Sequence, residues 1–74
     1  MQRKPVSSSQ IRSIGHDPAT STLEVEFHAG GVYQYDNVTA AHHKALMDAP
    51  SIGSHFHRHI KTAVKEFPYR RVNA

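Results

Sequence analysis

Thr22-Leu23-Glu24-Val25-Glu26-Phe27-His28-Ala29-Gly30-Gly31-Val32-Tyr33-Gln34-Tyr35-Asp36 is the stretch that decides the fold. Leu23, Val25 and Phe27 alternate with Glu24, Glu26 and His28, the period-two pattern of a strand with one buried and one wet face. A glycine pair then leads into a second alternating run, so the segment reads as a β-hairpin. Because side chains alternate, the loop decides where Tyr33 and Tyr35 point. A three-residue Ala29-Gly30-Gly31 loop pairs Phe27 with Tyr33 and puts both tyrosines on the buried face beside Val25 and Phe27. A two-residue Gly30-Gly31 turn pairs Glu26 with Tyr35 and leaves both rings on the open face. The buried register is favoured, because Gln34 and Asp36 then share the wet face with the glutamates.

Working outward toward the N-terminus, Gln10-Ile11-Arg12-Ser13-Ile14 is a β-favouring run closed by Gly15 and the Asp17-Pro18 pair, which disfavours helix. Residues 1–7 are polar and aperiodic, and are expected to be a flexible tail. Toward the C-terminus the period becomes helical. Thr39 is placed to cap a helix whose stripe is His42, Ala45, Leu46 and Ala49, ending before Pro50. Ser51 can cap a second helix, on which Ile52, Phe56, Ile60 and Val64 lie four apart. Fraying is expected among Lys61 to Lys65, and Phe67-Pro68 ends regular structure before a short edge strand at Tyr69 to Val72. The pattern predicts one α+β domain over residues 1–74: a three- to four-stranded antiparallel sheet covered by two short helices. Leu23, Val25, Phe27, Leu46, Phe56 and Ile60 should form its core.

Composition narrows the function classes. The 74 residues contain no cysteine, which excludes disulfides, cysteine-ligated zinc and thiol nucleophiles. No apolar run approaches the ~18 residues needed to span a bilayer, and no hydrophobic stretch follows the basic start, so a cytoplasmic protein is expected, without membrane contact. The net charge of +3 is unevenly spread. Residues 1–57 hold four Lys/Arg against five Asp/Glu, whereas residues 58–74 hold Arg58, Lys61, Lys65, Arg70 and Arg71 against Glu66 alone. Such asymmetry suggests an acidic partner, of which nucleic acid is the commonest, although a solvated basic end also serves solubility.

The motifs resemble the KTSC domain, a small bacterial and phage module named for its occurrence at the C-terminus of some lysyl-tRNA synthetases. The resemblance runs from about Val6 to Val72. It rests on Ser8, Ile11-x-x-Ile14-Gly15-x-Asp17, Thr22-Leu23-x-Val25-x-Phe27 and Tyr33-x-Tyr35, and continues through Leu46, Ala49-Pro50-Ser51-x-Gly53 and Phe56-x-x-x-Ile60. It implies a standalone β-rich module followed by helices, with a suggested role in RNA binding and no catalytic residue to transfer. Histidines at 16, 42, 43, 55, 57 and 59 depart from the family's usual look.

Three constellations carry possible chemistry. Arg58, Lys61, Lys65, Arg70 and Arg71, with Phe67 and Tyr69 interleaved, combine phosphate-neutralising cations with rings able to stack on unpaired bases. The bland alternative is that Phe67 and Tyr69 pack on the sheet and only the charges remain. His55 and His59 lie one helical turn apart, a spacing that can hold a divalent metal with His42, His43 or Asp48 as conceivable further ligands, but a structural site needs four ligands and no partner stands at a fixed offset. A polar helix face explains them, and neither a metal nor a cofactor is assigned. For catalysis, the histidines and cations include residue types used by small ribonucleases, yet no phosphate cradle, activated nucleophile or carboxylate pair accompanies them. The expected function is therefore a noncatalytic module that contacts RNA or other nucleic acid through Arg58, Lys61, Lys65, Tyr69, Arg70 and Arg71. The competing class is a protein-interaction or dimerisation module using the sheet edge or the open hairpin face. The residues do not specify an oligomeric state.

Overall fold

The computed structural model describes residues 2–72. Alternation in the N-terminal half and capped helical stripes after it produce β1 (Lys4–Pro5), β2 (Ile11–Asp17), β3 (Thr22–Phe27), β4 (Val32–Tyr35), α1 (Ala40–Asp48), α2 (Ile52–Phe56), a π-helical turn (His57–Lys61) and β5 (Tyr69–Arg71). The strands form an antiparallel meander in the order β1-β2-β3-β4-β5. This is the α+β class expected, with five strands rather than three or four. The additional strand comes from the expected tail: Lys4 pairs with Ile14 and Pro5 with Ser13. Met1, Asn73 and Ala74 lie outside the described residues.

The hairpin puts both tyrosines on the face of Leu23 and Val25, as favoured, but the loop sits one residue earlier than expected. Val25 pairs with Tyr33 and Leu23 with Tyr35. The Phe27 N–H donates to Gly31 O at 3.2 Å and the Gly30 N–H to Phe27 O at 3.0 Å, so the loop is His28-Ala29-Gly30. Gly30 has φ +101° and Gly31 φ +95°, which places a glycine at the left-handed position that closes a three-residue hairpin. Sliding the loop by one residue moves the register by two, and side-chain parity survives.

Ile11 and Ile14 are both fully buried although three residues apart, an odd spacing that a regular strand would split between faces. The register shifts between Ile11 and Ser13, and this bulge at Arg12 returns both side chains to the core. β2 also runs on through Gly15 instead of ending there. A Cβ on Gly15 would lie 2.7 Å from the Gln2 carbonyl oxygen, so the glycine lets the N-terminal chain cross β2.

The helices cover one sheet face. Leu23, Val25, Leu46, Phe56 and Ile60 are buried as expected, and Ile11, Ile14, Tyr35, Val38 and Phe67 complete the core, with Phe27 packed against it only partly buried. Thr39 caps α1 through a reciprocal box with His42. Within the expected α1 stripe only Leu46 is buried, while His43 and Met47 on its flank are half-covered.

The other sheet face is polar and internally paired. Arg3 bonds Ser13 and Glu24, Ser13 bonds Glu26, Gln34 bonds Glu24, and Arg70 bonds Gln34 and Asp36, a chain that crosses the sheet from β1 to β5. Burial alone would push the Glu24 carboxyl up, but the hydrogen bonds from Gln34 and Arg3 and the Arg3 charge prevail and hold it below the ordinary value near 4.5.

Candidate functional site

On the helical side, the hairpin, β5 and the segment after the π-helical turn do not close on one another. They leave a groove of about 570 Å³. Phe27, Tyr33, Tyr35 and Tyr69 line it. Their rings form a connected cluster, with centroids 5.7 Å apart for Phe27 and Tyr33, 6.0 Å for Tyr33 and Tyr69, and 5.6 Å for Tyr35 and Tyr69. Tyr35 is buried down to 3 % exposure whereas Tyr69 is 54 % exposed, so the cluster grades from core to solvent. Burial first, and then the neighbouring Tyr69 and Tyr33, push the Tyr35 phenol up to about 12, and it stays neutral at physiological pH.

Local structure fixes the two walls. On one side the His28 N–H donates to Gln10 O at 3.0 Å and the His28 ring Nε2 to Ser8 O at 3.0 Å, tying the hairpin tip to the Ser9-Gln10 loop. On the other side stand Lys61 and Val64. The π-helical turn explains why. Its five residues end at Lys61, the N–H of the capping Thr62 bonds His57 O, and the four-apart stripe of Ile52, Phe56 and Ile60 stops there. Val64 is consequently 50 % exposed at the groove, and the core position beyond Ile60 is filled by Phe67. No acidic residue lines the groove.

The residues expected to form a basic face divide. Lys61 and Tyr69 meet at the groove. Arg71 faces the same side through its pairing with Tyr33, and its guanidinium stands 3.8 Å from where a Gly31 Cβ would be. Arg58 and Lys65 are exposed on the π-helical turn and the loop that follows. Arg70 is separated from the others: it pairs with Gln34 on the polar sheet face and bonds Asp36 at 2.8 Å. Strand parity alone predicts that Arg70 and Arg71 oppose each other across the sheet. Phe67, interleaved with the cations in sequence, is buried. Sequence reasoning missed Tyr33, Phe27 and His28 as groove residues, and the Tyr33-x-Tyr35 pair at the hairpin was the signal available.

Four of the seven histidines lie in two pairs. His16 and His43 stack at 4.7 Å between β2 and α1, with His16 Nε2 donating to the Val38 carbonyl. His55 and His59 lie 4.4 Å apart and line, with His42 and Phe67, a shallow groove of about 220 Å³ between the helices. Among the described residues, no group of three or more His, Asp or Glu side chains has the geometry to hold a metal ion. No helix among them is long and apolar enough to cross a membrane.

The sheet, the buried Leu23, Val25, Leu46, Phe56 and Ile60, and the Gly15 crossing are built from the motifs that resemble the KTSC domain. The KTSC family model matches residues 7–63. The chain belongs to the KTSC domain family. The crystal structure of a KTSC domain protein from Yersinia pestis has a TM-score of 0.90 and 43% sequence identity, covering 97% of each chain. An uncharacterized protein from Stutzerimonas stutzeri is 38% identical over 73 residues, covering 99% of this chain and all of the relative. A lysine–tRNA ligase from Nostoc is 39% identical over 57 residues, which amount to 77% of this chain and 10% of the ligase. The chain is thus similar both to the whole of one small protein and to about a tenth of a lysine–tRNA ligase.

Proposed function

We propose that this KTSC domain is a noncatalytic module that binds single-stranded nucleic acid, RNA above all, through the groove side of its C-terminal third. The observation that carries this reading is the half-exposed Tyr69 beside Lys61 in a groove without acidic residues. Exposed aromatic rings offer stacking to any unpaired base and nearby cations offer phosphate neutralisation, the two ingredients of sequence-tolerant single-strand binding. The similarity to part of a lysine–tRNA ligase supports RNA as the polymer. No nucleophile with an oriented base accompanies the groove, which supports a binding role.

Charge deletion tests the reading. Lys61→Ala should weaken binding to every RNA sequence by a similar factor and flatten the dependence of log affinity on log salt by about 0.7, the value for one phosphate contact on a single strand. Arg58→Ala and Lys65→Ala should act in the same sense and less strongly. Arg70→Ala should leave affinity unchanged while lowering stability by about 0.5 kcal/mol, because its guanidinium belongs to the Asp36 pair. Equal loss of affinity in the Lys61 and Arg70 variants would contradict the assignment of the binding side.

A further inference from the structure

We propose that the tyrosine groove is a slot for an unpaired nucleobase, in which Tyr69 and Tyr33 supply the stacking surface and Lys61 meets the adjoining phosphate. This rests on the nucleic-acid reading and assigns it a place, a ligand chemistry and a second tyrosine. Volume, charge and the aromatic lining each support it.

The groove has about 570 Å³, within the ~300–1,000 Å³ range of small-ligand clefts, which is more than a charged surface needs in order to touch a phosphate backbone. Phe27, Tyr33, Tyr35 and Tyr69 give it a largely aromatic apolar lining, and Val64 and Tyr69, two of the three large apolar side chains that the described residues leave exposed, both line it. Aromatic floors also receive organic cations, which ring faces attract. Here that occupant is disfavoured, because the cationic Lys61 lines the groove and, among the described residues, no Asp or Glu does. A flat, neutral ring attached to an anionic group satisfies both floor and wall, and a nucleotide within a strand has that form. A paired base presents only its edge, so the strand must be single.

The polar part of the lining suits a ribose. Ser9 lines the groove together with Lys61 and brings a hydroxyl able to donate to or accept from a 2′-hydroxyl. The Ser9-Gln10 loop is held by the two His28 bonds and by Ser8 Oγ, which accepts from the N–H groups of Gln10 and Ile11. That wall of the slot is therefore held in place before binding, which lowers the ordering cost.

An abasic RNA strand tests the slot, because it keeps the phosphates and riboses and removes the bases. Anisotropy titrations compare a labelled oligouridylate with an abasic RNA of equal length, using wild type, Tyr69→Ala and Tyr69→Phe. The expected result is about a tenfold or larger preference of wild type for the base-bearing strand, retained by Tyr69→Phe and reduced several-fold in Tyr69→Ala, with the salt slope unchanged. Tyr69 is half exposed, so its replacement leaves the fold intact, which thermal unfolding verifies. If wild type binds both strands equally, the slot is wrong while charge-driven binding stands. A Tyr69→Ala variant that keeps the full preference also overturns it. If wild type binds neither strand, the slot and the nucleic-acid reading fall together, and retention of the chain on an immobilised protein partner would point to the competing interaction role.

Discussion

At the scale of single residues, two glycines do different work. Gly31 combines a left-handed backbone with a Cβ position 3.1 Å from Tyr33 Cε1, so it serves both the turn and the close packing of Tyr33. Gly15 has no unusual dihedral, and its role is space: any side chain there meets the backbone of Gln2. Gly15→Ala is expected to displace β1 and with it the Arg3 bonds to Ser13 and Glu24, at a cost of about 1–3 kcal/mol, read as a lower urea midpoint. An unchanged midpoint would contradict the crossing. From sequence this glycine looked like a strand terminator, because the chain that crosses it is distant in sequence and Lys4-Pro5 carries too little apolar character to announce a strand. The face of the tyrosines was legible for the opposite reason, since parity is set by the glutamates and Gln34 whichever three-residue loop is used.

At the scale of elements, alternation and capping were read correctly where they are strong: β3, β4, the Thr39 cap and the Ile52-Phe56-Ile60 stripe. The stripe of α1 was misread because alanines fit either face, so Leu46 alone had a decisive preference. The end of the second helix depends on the π-helical turn, which leaves no period in a five-residue segment and was therefore invisible. Its consequence is large: Val64 turns outward to line the groove and Phe67 turns inward. Phe67→Ala should then destabilise as a core truncation does, by about 3–5 kcal/mol, whereas Val64→Ala should change stability by less than about 1 kcal/mol. Comparable losses for the two, measured by denaturant titration, would contradict this account of the turn. The candidate site was half legible for the same reason. Lys61 and Tyr69 lie in the basic segment, but Tyr33 and Phe27 reach them only through the fold.

At the scale of the whole molecule, charge and protonation are arranged by face. The open sheet face neutralises itself through the chain of bonds from Arg3 to Asp36, and the groove side keeps its cations without acidic neighbours in the lining. Stability should also vary with pH in a defined direction. Burial first, and then the charges of His16 and Lys4, lower His43 below the ordinary histidine value of 6.5, so the unfolded chain binds the proton more readily. Stability is then complete above pH ~6.5 and falls as pH drops through that value. His55, lowered by burial and by His59, adds in the same sense. Glu24 is also held low, and its contribution is lost at more acid pH, as pH falls below the ordinary glutamate value near 4.5. Thermal midpoints at pH 8, 6, 5 and 3.5 should fall in two stages, and His43→Gln should diminish the upper one. A midpoint that rises between pH 8 and 5 would contradict the sign.

The central claim is that the groove side takes single-stranded RNA. Its most direct test is fluorescence anisotropy of labelled single-stranded RNA, single-stranded DNA and RNA duplex titrated with tag-free protein, at low and physiological salt, with EDTA present so that adventitious metal makes no contribution. The account predicts saturable binding that weakens with salt and follows the order single-stranded RNA, single-stranded DNA, duplex. Equal affinity for duplex and single strand, or no binding at high protein concentration, would contradict it.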